Sequence, residues 1–251
     1  MKRLILMMLI LTSMSIAACS DEIAVQLPDD TSENVTTVAM GSFNIYFIET
    51  DTGYILVDTG WIGEEEKLEE AFSAAGISPK DVNLIVLTHG HMDHVGTTAF
   101  AKALTSADIL CHEYTATFIR DGKSAPAVAH DLRGRFFNVI TPRSFPGIEP
   151  DIVMKEEFDL RPYGIDGKVV HTPGHTQGSI TIVLDNGEML LGDLVRGTEQ
   201  EIHLGSYYED KDVLIQSLEK LAAYDADKIY MSHGTSIDNA ALLACIEKLK
   251  E

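Results

Sequence analysis

Runs of apolar residues with the length of β-strands alternate with helix-like patterns along most of the chain. The runs 43–48 and 54–58 flank Asp51-Thr52-Gly53, a turn signal that predicts a hairpin. Further strands are predicted at 84–87, 108–111, 168–170, 179–184, 189–191 and 228–231. Apolar residues spaced three and four apart predict helices before Gly76, at 96–105, up to Arg120, at 214–222 and at 237–249. Strands that alternate with helices predict an α/β domain.

The first 34 residues lack this alternation. A basic start, Met1-Lys2-Arg3, precedes the apolar run Leu4–Leu11, which is too short for a membrane span and predicts a secretory signal over residues 1–18. Ile16-Ala17-Ala18-Cys19 resembles a bacterial lipoprotein cleavage site, so Cys19 is the predicted lipidation site; the alternative is an ordinary signal peptide followed by an unmodified cysteine. This predicts a protein of the bacterial cell envelope, lipid-anchored on its periplasmic or extracellular face.

Residues 19–34 are rich in Asp, Glu, Ser, Thr and Pro, which predicts a flexible tether. The remaining residues 35–251 have the length of one domain. Between Arg120 and about Pro150 the pattern dissolves in a segment that carries glycines and prolines, and we predict no regular element there.

The strongly negative net charge of the chain argues against nucleic acid as a partner. Removal of residues 1–18 leaves 17 basic and 39 acidic side chains, a formal charge of −22, and such a surface repels nucleic acid. The partners expected are a small-molecule substrate and a membrane contacted through the lipid anchor alone. Cys111 and Cys245 are the cysteines left after Cys19, and Cys245 falls on the apolar face of the last predicted helix, so a disulfide framework is not expected.

Candidate metal-binding side chains are most concentrated in His89-Gly90-His91-Met92-Asp93-His94, which places three imidazoles and a carboxylate within one short turn. The run follows 84–87, whose continuous apolar character predicts a buried strand that would position the turn firmly. Imidazole nitrogen and carboxylate oxygen are the ligands that zinc takes in catalytic sites. The sequence therefore predicts a metal centre at the end of this strand.

Four other short segments carry residues of the same chemical classes. They are Leu56-Val57-Asp58-Thr59-Gly60, Gly174-His175-Thr176, Gly192-Asp193 and Ser232-His233-Gly234. Together with residues 88–94 they resemble, in order, the motifs of the metallo-β-lactamase superfamily of metal-dependent hydrolases. The resemblance extends from about Val35 to the C-terminus, and it implies an αββα four-layer sandwich.

The resemblance also implies the metal ligands. His89, His91 and His175 would bind one cation, Asp93, His94 and His233 a second, and Asp193 would bridge them. Two Zn²⁺ per chain are expected, with iron or manganese as alternatives. Two cations about 3.5–4 Å apart share a hydroxide and lower its pKa toward neutrality, so no serine or cysteine nucleophile is required. Asp93 and Asp58 are the expected catalytic carboxylates, and Asp58 is expected to orient a ligating imidazole rather than to bind metal; the alternative for Asp58 is a turn-stabilising role.

Asp193 narrows the choice of hydrolase. The true metallo-β-lactamases usually have Cys or Ser at this position, which disfavours a β-lactam substrate. The ligand set is similar to that of hydroxyacylglutathione hydrolases and acyl-homoserine lactonases, but the chain ends 18 residues after His233 and lacks a Tyr shortly after Asp193. We therefore expect cleavage of a small ester, thioester, lactone or phosphoester. Three alternatives remain. They are an oxidoreductase similar to the persulfide dioxygenases, with one iron held by His89, His175 and Asp193; a β-lactam hydrolase; and a binding or metal-buffering protein.

Substrate contacts are expected from basic residues near these motifs. Over residues 120–143 five basic side chains face two acidic ones, a local charge of +3. We predict that this stretch forms a mobile lid beside the metal centre and that its arginines, among them Arg133 and Arg135, bind an anionic group of the substrate. The alternative is that they pair with acidic groups elsewhere on the surface. Arg196 and His203 follow Asp193 and are further candidates for substrate contact.

Overall fold

The structure is a computed structural model that describes residues 23–26 and 34–251. In the first part of this range the strands are β1 Ile23–Gln26, β2 Val35–Met40, β3 Asn44–Thr50, β4 Gly53–Val57, β5 Val82–Val86, β6 Asp108–His112 and β7 Ile152–Met154. The later strands are β8 Glu157–Asp159, β9 Gly167–His171, β10 Ile180–Leu184, β11 Glu188–Leu190, β12 Arg196–Thr198, β13 Glu201–His203 and β14 Lys228–Tyr230. The helices are α1 Glu65–Ala75, α2 Met92–Val95, α3 Thr98–Thr105, α4 Glu113–Arg120, α5 Leu132–Ile140, α6 Lys211–Ala222 and α7 Asn239–Lys250.

The strands form two large sheets and one hairpin. Strands β1 to β7 lie side by side in sequence order, antiparallel from β1 to β4 and parallel from β4 to β7. The second sheet has the order β14-β11-β10-β9-β8, in which β14 runs parallel to β11 and the other pairs are antiparallel. Strands β12 and β13 pair with each other as a small hairpin, and Gly197 of β12 also forms an isolated bridge with Gly234.

Three apolar layers hold the sheets and helices together. The middle layer lies between the sheets and joins side chains such as Ile55 and Val86 to Val169 and Ile182. The outer layers pack α1, α3 and α4 on the seven-stranded sheet and α6 and α7 on the five-stranded sheet. Strand β5 contributes to two of these layers, which explains the continuous apolar run at its end, from Leu84 to Val86. The αββα four-layer sandwich predicted for the chain is confirmed.

Local signals explain most of the element boundaries. The predicted hairpin is present as β3 and β4, with Gly53 at the turn. Helix α1 ends at Gly76, whose φ of 69° is the left-handed conformation that favours glycine after a helix. Helix α7 begins at Asp238, whose side chain accepts a hydrogen bond from the backbone N–H of Ala241.

Two predictions about irregular segments are wrong in part. Ile23–Gln26, within the predicted tether 19–34, forms β1 against β2, because Ile23 and Val25 alternate with Ala24 and pack on the outer apolar layer. The segment between Arg120 and Pro150 contains the nine-residue helix α5. Asp131 starts this helix, since its side chain accepts a hydrogen bond from the backbone N–H of Gly134 at 2.6 Å.

The predicted signal peptide, the lipidation site Cys19 and most of the predicted tether lie outside the described residues. Among the residues that the structure describes, no helix combines the length and the apolar character needed to cross a bilayer.

Candidate metal centre

The predicted ligands come from separate loops at one edge of the sandwich. Residues 89–94 follow β5 and lead into α2, while Asp58 follows β4, the strand that pairs parallel with β5. His175, Asp193 and His233 follow β9, β11 and β14 of the other sheet, and these three strands point the same way. Parallel strands end at the same edge of a sheet, so both sheets deliver their polar loops to one place.

Three imidazoles meet in the first group of ligands. His175 Nε2 lies 3.1 Å from His89 Nε2 and 2.9 Å from His91 Nδ1, and the latter two atoms are 3.1 Å apart. Tetrahedral zinc with bonds of about 2.0–2.1 Å holds neighbouring nitrogens about 3.3 Å apart. The three nitrogens therefore have nearly the spacing of one face of a zinc coordination shell.

The opposite nitrogen of each ring fixes its tautomer. His91 Nε2 donates to the Pro126 carbonyl at 3.1 Å, and His175 Nδ1 donates to the Tyr207 carbonyl at 2.9 Å. A neutral imidazole that donates from one nitrogen carries a lone pair on the other. Burial lowers the pKa of His91 and lowers that of His175 to about 3, so both rings are neutral. Their lone pairs consequently converge on one point, an arrangement that a cation stabilises.

The second group combines imidazoles with carboxylates. His233 Nε2 is 3.2 Å from Asp93 Oδ2, and His94 Nε2 is 3.6 Å from the same oxygen. Burial opposes protonation of His94, but the three carboxylates around it raise its pKa to about 9. Burial likewise opposes protonation of His233, and there Asp193 and Asp93 raise the pKa to about 10. The carboxylates thus create a site that favours positive charge.

Asp193 lies between the two groups. Its Oδ1 is 3.4 Å from His94 Nε2, and its Oδ2 is 3.4 Å from His233 Nε2 and 3.9 Å from His175 Nε2. One carboxylate therefore reaches an imidazole of each group, as a ligand shared by two cations must.

Two buried atoms in this cluster test whether it fits metal. His94 Nε2 and Asp193 Oδ1 have no hydrogen-bond partner within the described part of the chain. Native proteins rarely bury polar atoms in this state unless an ion or water satisfies them. A divalent cation bound by both atoms would satisfy them, and all seven predicted ligands belong to the atom groups close enough to hold metal. The donor set of five imidazoles and two carboxylates fits zinc.

Asp58 supports the ligands without joining them. Its Oδ2 accepts hydrogen bonds from His94 Nδ1 at 2.8 Å and from the Thr88 hydroxyl at 2.7 Å, while its Oδ1 accepts one from the Thr88 backbone N–H. With its proton committed to Asp58, the Thr88 hydroxyl accepts a hydrogen bond from His89 Nδ1 at 3.1 Å. Asp58 thus orients His94 directly and His89 through Thr88. It does so from a left-handed backbone conformation with φ of 61°, which Asp tolerates better than most residues.

A cavity of about 470 Å³ opens onto the cluster. Apolar walls come from Trp61, Met92 and Phe137, and polar lining residues include Ser42, Asn138 and Tyr207 together with the predicted substrate residues Arg133, Arg196 and His203. Arg196 Nη2 lies 3.9 Å from Asp193 Oδ2, which places a permanent positive charge beside the cluster. Arg135 is exposed and does not line the cavity, because two positions along a helix turn a side chain to the other side.

Helix α5 forms one wall of the cavity, and contacts with residues 206–208 attach it there. The Tyr207 hydroxyl donates to the Gly134 carbonyl, and the Ser206 hydroxyl donates to Asp131. Backbone hydrogen bonds join His130 N–H to the Ser206 carbonyl and Tyr208 N–H to the Val128 carbonyl. The predicted lid therefore lies beside the candidate metal centre and is hydrogen-bonded to residues 206–208. Its mobility stays a prediction.

Sequence reasoning missed several contributors to the site. Thr88 immediately precedes the predicted ligand His89, and this position of a hydroxyl group could have indicated that it supports the imidazole. Trp61 follows Asp58-Thr59-Gly60 and lines the cavity. Phe137 and Asn138 belong to α5, whose apolar residues 132, 136, 139 and 140 at helical spacing could have revealed the helix.

Comparison with known proteins gives a consistent result. The model of the metallo-beta-lactamase superfamily matches residues 41–233. A probable metallo-hydrolase of Methanocaldococcus jannaschii is 31% identical over 193 residues, which cover 74% of this chain and 85% of the relative. Beta-lactamase-like protein 2 homolog of Drosophila melanogaster is 24% identical over 210 residues, which cover 82% of this chain but only 63% of that longer protein.

A solved structure shares the fold. BJP-1, a subclass B3 metallo-beta-lactamase of Bradyrhizobium japonicum, superposes with a TM-score of 0.59 at 24% sequence identity, over 83% of this chain and 76% of that one. At this identity the likeness shows a shared fold and nothing about the substrate.

Proposed function

The chain belongs to the metallo-beta-lactamase superfamily, and on this premise we propose that it is a hydrolase that uses two divalent cations, expected to be zinc, to cleave a small ester, thioester, lactone or phosphoester. The proposal rests on the convergence of five imidazoles and two carboxylates in one cluster, of which His91, Asp93, Asp193 and His233 line a cavity. His89, His91 and His175 would hold one cation, Asp93, His94 and His233 the other, and Asp193 both. When bound, the cations supply Lewis acidity and a water nucleophile that is effective near neutral pH.

The protein's own groups would keep this chemistry in place. Asp58 and the carbonyls of Pro126 and Tyr207 hold the imidazoles in the tautomers that ligation needs. Helix α5, Ser206 and Tyr207 form part of the cavity wall, and any exclusion of water by this wall would strengthen electrostatic interactions within the cluster.

The substrate class follows from the cavity walls. Arg196 stands beside Asp193, and Arg133 also lines the cavity, so two guanidinium groups contribute to its walls. Trp61 and Phe137 add apolar surface to the same cavity. A small ester or lactone that carries a carboxylate or phosphate together with an apolar part would match both kinds of surface.

Metal content and turnover together test the hydrolase proposal. Metal analysis of the purified protein is expected to give about two zinc ions per chain. A panel of chromogenic esters, thioesters, lactones, phosphodiesters and β-lactams is expected to give turnover with one of the first four classes, and removal of metal by a chelator should abolish it. One iron per chain with oxygen consumption would overturn the proposal in favour of an oxidoreductase, and tight metal binding without turnover of any panel member would favour a metal-buffering role.

Arg133 offers a test of substrate charge with a control on the same helix. Arg133→Gln is expected to raise KM for an anionic substrate about tenfold, because a charge-assisted hydrogen bond to the substrate is lost, and to leave KM for a neutral substrate unchanged. Arg135→Gln removes the same charge from a position on the same helix that does not line the cavity. It is expected to change KM for neither the anionic nor the neutral substrate. Steady-state kinetics on soluble substrates measure both variants. Equal effects of Arg133→Gln on charged and neutral substrates would show that Arg133 supports the helix and not recognition.

The cellular location is proposed from the first 19 residues. Met1-Lys2-Arg3, the apolar run Leu4–Leu11 and Ile16-Ala17-Ala18-Cys19 support export and lipidation at Cys19 in the bacterial cell envelope. A mass spectrum of the mature N-terminus is expected to show an acylated cysteine, and Cys19→Ser should remove the acyl mass. Cleavage at another residue, or an unmodified cysteine, would contradict the proposal.

A further inference from the structure

Helix α5 presents an apolar stripe to solvent. Leu132, Phe136, Val139 and Ile140 are 82%, 63%, 83% and 58% exposed. Successive residues in a helix are rotated by about 100°, so positions i, i+4, i+7 and i+8 fall on one side. Soluble monomers seldom expose a contiguous apolar patch of this kind unless it contacts another molecule.

The opposite side of the same helix faces the metal centre. Gly134, Phe137 and Asn138 line the cavity, and Thr141 continues this lining just after the helix ends. The exposed stripe therefore cannot be the inner surface of a closed active site. It lies on the outer side of the wall, within one helix diameter of the cavity.

Basic residues border the apolar stripe. Arg135 flanks it on one side by the helical rotation, and the exposed Arg143 follows the helix, where it donates a hydrogen bond to the Asn138 carbonyl. Arg133 borders the stripe on its other side, but its guanidinium lies over the Phe137 ring and lines the cavity. The other two basic residues of the segment are already paired, Arg120 with Glu149 and Lys123 with Asp121. Within the described residues Arg133, Arg135 and Arg143 make no ion pair with a carboxylate, although the chain as a whole has a net charge of −20. Apolar residues flanked by unpaired cations are typical of helices that lie in the interface of a bilayer.

The described chain also starts at this end of the molecule. Ile23, the first residue of β1, pairs with Met40, and Ser42, two positions further on, lines the cavity. Cys19, the proposed lipidation site, is four residues before Ile23, a distance that an extended chain covers in at most about 14 Å. A lipid anchor at Cys19 would consequently hold the cavity side of the domain close to the bilayer.

We propose that α5 docks on an anionic lipid bilayer, with Leu132, Phe136, Val139 and Ile140 inserted among the lipids and Arg135 and Arg143 on the headgroups. The same face is poorly suited to a second copy of the chain, because a two-fold symmetric contact would gather the arginines of both copies, with no carboxylate partner in the segment, in one interface. The acidic remainder of the surface does not prevent docking, since charges farther from the bilayer than about 8 Å are screened at physiological ionic strength. The docking proposal does not depend on hydrolysis.

Vesicle binding by the unlipidated chain tests the proposal. The chain from residue 20 onwards, which retains every residue that the structure describes, is sedimented with vesicles of phosphatidylcholine mixed with phosphatidylglycerol and with vesicles of phosphatidylcholine alone. We expect binding to the anionic vesicles that weakens as salt is added. Leu132→Asn combined with Val139→Asn is expected to lower the affinity at least about tenfold. Arg135→Gln is expected to lower it about fivefold for the anionic vesicles.

Leu243→Asn is the matched control, because Leu243 is an exposed leucine on α7, away from the cavity. It should bind vesicles as the unaltered chain does. Absence of vesicle binding, or equal loss in the α5 variants and in Leu243→Asn, would overturn the proposal. Sedimentation equilibrium without lipid provides the other decisive outcome: a dimer of the unaltered chain that the α5 variants dissociate would assign the stripe to a second copy.

Discussion

Asp193→Ala is expected to lower turnover by at least about 100-fold and to reduce the metal content of both ligand groups. The carboxylate lies within 4 Å of imidazoles from each group, so its loss removes a negative charge and a ligand that the two cations would share. Removal of a partner that merely orients a metal ligand costs 10–100-fold, and a shared ligand should cost at least as much. The variant also removes Asp193 Oδ1, which lies 3.4 Å from His94 Nε2.

Metal analysis and initial rates on the same protein sample measure this effect. Asp159→Ala is the control, because Asp159 is an exposed carboxylate paired with Arg161 on the surface and does not line the cavity. The control should retain metal and turnover. Unchanged activity of Asp193→Ala in a sample of verified metal content would exclude the mechanism with two cations.

Asp58→Asn is expected to weaken metal binding about 10–100-fold although Asp58 binds no metal itself. The two carboxylate oxygens accept three hydrogen bonds, two from Thr88 and one from His94. An amide has a single acceptor oxygen, so its NH₂ group must face a donor in either orientation. Asn tolerates the left-handed backbone conformation found at this position, which means that the loss reports on the hydrogen bonds and not on the backbone.

Competition with a chromogenic zinc chelator measures the affinity. Thr88→Val provides a graded comparison, since it removes the hydroxyl that supports His89 and leaves the contact between Asp58 and His94 in place. We expect the order of affinities to be unaltered protein, Thr88→Val, then Asp58→Asn. If Asp58→Asn bound zinc as the unaltered chain does, Asp58 would act only in the turn, which is the alternative noted from the sequence.

The residues of the candidate metal centre could be predicted from the sequence because each sits in a short polar motif shortly after an apolar strand. Once strand 84–87 was identified, the end of the strand fixed where His89 to His94 had to lie, and the same logic holds for Asp193 and His233. Spacing alone could not show which nitrogen of each ring faces the metal. That choice depends on carbonyls of Pro126 and Tyr207, which belong to segments far from the histidines in sequence.

Helix α5 shows where the sequence pattern misled. Four of its apolar residues face solvent, whereas the side toward the cavity carries Gly134, Phe137 and Asn138, so the usual rule that most apolar positions mark the buried side assigns the wrong face. Glycines and prolines on either side suggested a loop. Strand β1 was missed for a related reason, because four residues in a polar segment are too few for periodicity and their pairing is supplied by β2.

The division of the ligands between the sheets has a mechanical consequence. His89, His91, Asp93 and His94 follow a strand of one sheet, and His175, Asp193 and His233 follow strands of the other, so each ligand group draws on both. A cation bound by either group would link the two sheets, and at a concentration of 100 times its Kd it would stabilise the folded chain by about 2.7 kcal/mol. Cores transmit small displacements because they are tightly packed. We therefore expect metal affinity to depend on how the two sheets are aligned. Substitutions between the sheets, such as those at Ile182 or Val86, should change the affinity without touching the metal.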